Sequence, residues 1–145
     1  MNRSHSTRLR RLDGLGMVLC ASLLFGIPAS ADTESLRPES EGFLLHCSGC
    51  HQSDGRGTPG VAPDLRRIGV LLDVEGGRDY LGSVPGVAQA PVGDEELARL
   101  LNWVLTEIAH RAPEPAYTAE EIHRLRAEPL RDPIAARKAL FPSES

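Results

Sequence analysis

The chain predicts a small all-α fold, and three features carry that expectation. No strand signal stands out anywhere along it. Leu97, Leu100, Leu101, Val104, Leu105 and Ile108 recur at helical spacing and form one apolar stripe. Glycines and prolines fall where helices start and stop, notably Pro38, Gly76-Gly77, Gly93 and Pro113.

In chain order, residues 1–31 have the form of an export signal. Arg3, Arg8, Arg10 and Arg11 make a basic head, Leu12 to Ile27 is mostly apolar, and Ala29-Ser30-Ala31 supplies a small-x-small cleavage pattern. The pattern is of the Sec type and predicts a periplasmic protein. Membrane association is expected only if the segment is retained, since the apolar run is short for a span. A first helix is expected from Pro38 to about Cys47. Proline suits its first turn, Glu39 and Glu41 favour its positive pole, and Phe43, Leu44 and Leu45 supply apolar surface. Gln52 to Gly60 reads as loop, followed by a short apolar piece around Leu65, Ile68, Val70 and Leu71. A second loop is expected from Gly76 to Gly93, interrupted by a short turn near Arg78 to Leu81. The striped helix then begins at Gly93 or Asp94, with Glu95 and Glu96 in its first turn, and stops before Pro113. Beyond it, Thr118-Ala119-Glu120-Glu121 is a capping box, Ile122 and Leu125 give an apolar face, and a last short helix is expected over Ile134 to Leu140. The predicted organisation is a signal (1–31), a main helical domain (32–112) and a C-terminal helical extension packed upon it (113–145).

The chemistry concentrates in Cys47-Ser48-Gly49-Cys50-His51. C-x-x-C-H is the spacing that attaches haem c: each thiol adds across a vinyl group to form a thioether, and the adjacent imidazole becomes the proximal iron ligand. A dithiol redox pair would want a βαβ context, which is not visible. A zinc site would want a second cysteine pair, and none follows. A plain disulfide is the remaining competitor. Without residues 1–31 the only cysteines are Cys47 and Cys50, and in an oxidising compartment those thiols would pair unless haem captured them. One covalent haem c, with His51 as metal ligand, is therefore expected.

Charge narrows the partners. The chain has 16 basic and 20 acidic residues; with the signal's four arginines and one aspartate removed, 12 and 19 remain, a net charge of −7. A surface of that sign argues against nucleic acid and suits steering toward a basic partner surface. The 114 residues left of 145 make one small domain, whose modest core a haem would enlarge.

Helix, C-x-x-C-H, glycine-rich loop, variable loop and capped terminal helix together resemble a class I monohaem cytochrome c, over roughly Glu39 to His110. The resemblance implies that Phe43 and Trp103 meet where the first and last helices cross. It implies further that Ala62-Pro63-Asp64-Leu65 supplies a proline carbonyl to the ligand histidine's Nδ1–H and a leucine, Leu65, to the haem. It departs at the sixth ligand, usually a methionine in the loop before the last helix: only Met1 and Met17 exist, both in the signal. In the corresponding loop, Tyr80 to Pro91, Gln89 is the polar side chain best suited to lie near the iron, Tyr80 and Ser83 apart. A vacant, water-bound or weakly ligated distal site with Gln89 nearby ranks first, and a histidine from the extension, His123, second. His46 sits on the proximal side, His110 at the pole of the last helix, and Lys138 in solvent.

The expected function is electron carriage between periplasmic redox partners, with a dehydrogenase or a terminal acceptor as candidates, rather than enzymatic turnover. The alternative is a haem-based protein that binds or senses small ligands at an open iron position. Peroxidase-like chemistry ranks last, since the distal loop offers Arg78 but no histidine.

Overall fold

The computed structural model describes residues 38–141, and the expected signal segment lies outside the described residues. Within them the chain runs α1 (Pro38–His46), α2 (Ser48–His51), a 3₁₀ segment (Leu65–Asp73), α3 (Gly77–Ser83), α4 (Pro85–Ala88), α5 (Asp94–Trp103) continued by a π turn (Val104–Ile108), α6 (Ala119–Arg126) and α7 (Pro133–Leu140). No strand is present among the described residues; Thr58 and Ala62 form one isolated antiparallel bridge.

α1 opens on Pro38 with Glu39 and Glu41 in its first turn, and only Phe43 of its apolar trio enters the core. Leu44 and Leu45 remain 44% and 77% exposed. Three consecutive residues spread about 100° apart around a helix and cannot share one face. Phe43 packs against Trp103 of α5, ring centroids 5.7 Å apart and planes tilted by 41°, so α1 and α5 cross on an aromatic pair.

The stretch expected as loop between Gly76 and Gly93 is mostly helical. α3 and α4 are too short to announce themselves by periodicity, and they form because the C-terminal extension packs on them. The ring of Tyr117 lies under the Arg78 guanidinium, 4.0 Å from it, and donates its hydroxyl to the Arg78 carbonyl at 2.8 Å. Arg78 forms a two-bond pair with Glu121, both at 2.7 Å, and donates to the Pro115 carbonyl at 2.7 Å. Gly82 lies so close to Leu125 that a Cβ there would collide with its side chain. Tertiary packing thus overrides weak local propensity.

α5 is the striped helix. Leu97, Leu100 and Leu101 are buried within it, and Val104 and Leu105 in the π turn that follows. The wider turn closes with Ala109 N–H donating to the Val104 carbonyl, and Arg111 N–H donates to that of Leu105. His110, at φ 52°, ends the run short of Pro113. Thr118 caps α6 by accepting from Glu121 N–H at 3.2 Å, and the Glu121 carboxylate accepts in return from the Thr118 backbone, which completes the capping box while Arg78 holds the same carboxylate. Asp132 caps α7, which begins at Pro133, one residue before the expected start.

Phe43, Leu71, Leu105 and Ile122 are the largest fully buried side chains, and Tyr117, Ile122 and Leu125 belong to the same core cluster as the α5 stripe. The extension therefore completes the core of the described unit instead of lying loosely on it. Arg126 fastens it further, donating to the carbonyls of Ala88, Ala90 and Val92 and to Asp94.

Candidate functional site

Helix continuity at the end of α1 sets the positions of the motif. Cys47 N–H donates to the Phe43 carbonyl at 2.9 Å, and the Ser48 hydroxyl donates to the Leu44 carbonyl at 2.7 Å. α2 then carries Cys50 and His51 round one turn before Gln52, at φ 63°, breaks it. Both thiols are free, and burial pushes the Cys47 thiol above its ordinary pKa. Among the described residues no cluster of three or more His, Cys, Asp or Glu could hold a metal ion.

The loop after His51 folds back on it. Gly57 N–H donates to the His51 carbonyl at 2.8 Å and Leu65 N–H to that of Gly55 at 2.7 Å. Thr58 accepts from Gln52 Nε2 at 2.8 Å and donates to the Cys50 carbonyl at 2.9 Å. This clasp brings the Pro63 carbonyl to 3.0 Å from His51 Nδ1. A carbonyl only accepts, so the imidazole carries its proton on Nδ1 and leaves the Nε2 lone pair free. Next along the chain, Arg66 bonds to Asp64 and holds its carboxyl down at about 2; Asp64 accepts from Arg66 N–H and so caps the 3₁₀ segment that presents Leu65.

His51, Cys47 and Cys50 border an apolar cavity of about 390 Å³. Pro63 and Leu65 line it beside them; Ile68, Leu71, Leu97, Leu101 and Val104 form its deep wall; Tyr80, Leu81, Val84, Pro85 and Val87 close another side. The chemistry of this set fits the haem that C-x-x-C-H predicts: two unbridged thiols and one imidazole with a free nitrogen at the edge, and aliphatic walls for a flat apolar macrocycle.

The other expected neighbours lie elsewhere. Gln89 is exposed at the end of α4 and outside the cavity lining: its neighbours Ala88 and Ala90 are buried, which turns the amide outward. His123 is exposed and paired with Asp94 at 2.9 Å, His110 is exposed, and Arg78 is held by Glu121. The lining also includes residues with no signal in the sequence, among them Pro133 and Arg137 of α7. They share a helix face at i, i+4 spacing, but nothing local says which partner that face meets.

No protein-family model matches the chain. It is similar to a cytochrome c-552 of Thermus thermophilus, 33% identical over 146 aligned positions that span 84% of this chain and 95% of the relative. A second Thermus thermophilus cytochrome c-552 is 35% identical over 122 positions, spanning 68% and 93%.

Proposed function

Because this chain belongs to the c-type cytochromes, we propose that it is an exported monohaem electron carrier whose haem is held by Cys47, Cys50 and His51. As a c-type cytochrome it carries covalent haem c, which when bound supplies a one-electron iron couple. The observation that carries the reading is the His51 Nδ1 to Pro63 carbonyl bond of 3.0 Å at the edge of an apolar cavity that both thiols also border.

Each residue then has a defined task. Cys47 and Cys50 form the thioethers and fix the macrocycle in register with α2. His51 donates Nε2 to the iron, and the Pro63 carbonyl fixes its tautomer and increases its basicity. Leu65 and the α5 leucines exclude water, so little solvent has to reorganise when the charge on the site changes. Cytochromes c work with redox partner proteins; for this one a periplasmic dehydrogenase or a terminal acceptor fits, and the acidic chain favours a basic docking surface. Export rests on the signal form of residues 1–31. No helix among the described residues is long and apolar enough to cross a membrane. Arg78, the basic residue the distal loop offers a peroxidase-like site, is held by Glu121, Pro115 and Tyr117.

Covalent attachment is tested by denaturing electrophoresis with haem staining of the wild type and the Cys47→Ala/Cys50→Ala double variant. The wild type is expected to keep its haem and the variant to lose it. Haem that survives denaturation in the variant would refute the assignment of these thiols.

A further inference from the structure

Among the described residues, α7 contributes to the cavity the one lining residue whose charge has no counterpart. Apart from His46 and the C-x-x-C-H residues, Tyr80 and Arg137 are the only side chains lining the cavity that carry polar atoms. Tyr80 donates its hydroxyl to the Pro133 carbonyl at 3.2 Å, which keeps it a neutral phenol tied to α7. Arg137 is half-buried and has no ion pair or hydrogen bond among the described residues. The other two arginines that reach into the fold, Arg78 and Arg126, are both fully engaged. No methionine occurs within residues 38–141, so the walls from α3, α4 and α7 offer the iron no thioether and no imidazole. What they offer is aliphatic surface with one unmatched cation.

We propose that the α3–α4–α7 side of the cavity is a binding site for a small inorganic anion of azide or nitrite size, taken from solution to the iron position that His51 would leave open, with Arg137 as the cation that holds it. The proposal rests on the haem being held as described above. A guanidinium beside an apolar wall attracts an anion more strongly than it would in water, and its donors add charge-assisted hydrogen bonds. A neutral ligand such as carbon monoxide gains little from the same group, so the site discriminates by charge.

The test is a spectral titration of the full-length ferric holoprotein with sodium azide, in the wild type, Arg137→Ala and Arg137→Lys, alongside carbon monoxide titration of the ferrous forms. The wild type is expected to give a saturable azide-dependent shift of its visible bands. Arg137→Ala should weaken azide roughly tenfold, the scale of one charge-assisted hydrogen bond, while Arg137→Lys should retain most of the affinity and carbon monoxide affinity should stay within about twofold of wild type, as a neutral ligand leaves little for a charge to act on. A ferric spectrum that azide leaves unmoved would overturn the open position. Unchanged azide affinity in Arg137→Ala would assign the cation to the haem's own carboxylates instead, and equal losses for azide and carbon monoxide would make Arg137 a packing residue; both overturn the proposal. Haem attachment and reversible reduction are read on the same samples. An azide-silent protein that still holds haem and cycles fails only here, whereas loss of both fails the carrier reading as well and overturns this proposal with it.

Discussion

Gly57 is the residue on which the proximal geometry turns. Its φ of 76° favours glycine, and a Cβ there would run into the carbonyl oxygens of Ala62 and Pro63. Gly57→Ala is therefore expected to displace the acceptor of the His51 Nδ1–H and to cost about 1–3 kcal/mol, read as a lower denaturation midpoint of the holoprotein. The same variant should raise the reduction midpoint, because an imidazole whose Nδ1–H has lost its acceptor is a weaker donor and stabilises ferric iron less. Cys47, Cys50 and His51 were legible because their spacing is local and matched to the chemistry of haem attachment. Pro63, twelve residues downstream of His51, was legible only through family resemblance, since a carbonyl acceptor has no residue-type signature. Gln89 stands out as a polar side chain in the loop that corresponds to the family's methionine loop, but polarity does not orient it, and its outward aspect follows from the burial of Ala88 and Ala90. Arg137 had no readable signal, because its position depends on where α7 docks.

At the scale of elements, periodicity served the long segments and failed the short ones. The α5 stripe and the caps of α6 could be read directly. α3 and α4, seven and four residues long, carry less than two helical turns each and owe their form to contacts from a segment some forty residues away. Two expected outcomes test this account. Phe43→Ala removes the aromatic buried where α1 crosses α5 and should cost about 3–5 kcal/mol, measured by chemical denaturation of the holoprotein. Arg126→Met keeps much of the side-chain volume but strands the carbonyls of Ala88, Ala90 and Val92. It should cost about 2 kcal/mol and loosen α4 first, seen as faster amide exchange at Ala88 to Val92.

The molecule as a whole holds its extension through charge as well as apolar packing, and that makes its stability sensitive to acid. The hydrogen bond from Arg78 lowers the pKa of Glu121 from its ordinary 4.5, and those from Arg126 and His123 lower that of Asp94 from its ordinary 3.8. Carboxyls depressed on folding stabilise the native state above their ordinary values and lose that contribution as pH falls through the depressed ones. Thermal stability is expected to be flat from neutral pH down to about 5 and to fall below about 4, with Glu121→Gln flattening part of the decline. The sequence predicted the extension as a packed helix, yet its part in lining the cavity beside Cys47, Cys50 and His51, through Pro133 and Arg137, emerges only in three dimensions. The central claim is that this chain uses one covalently held haem to carry single electrons. A spectroelectrochemical titration of the purified full-length holoprotein tests it most directly: the account predicts one reversible transition with the slope of a one-electron couple, and a multi-step or irreversible transition, or visible bands that do not respond to potential, would contradict it.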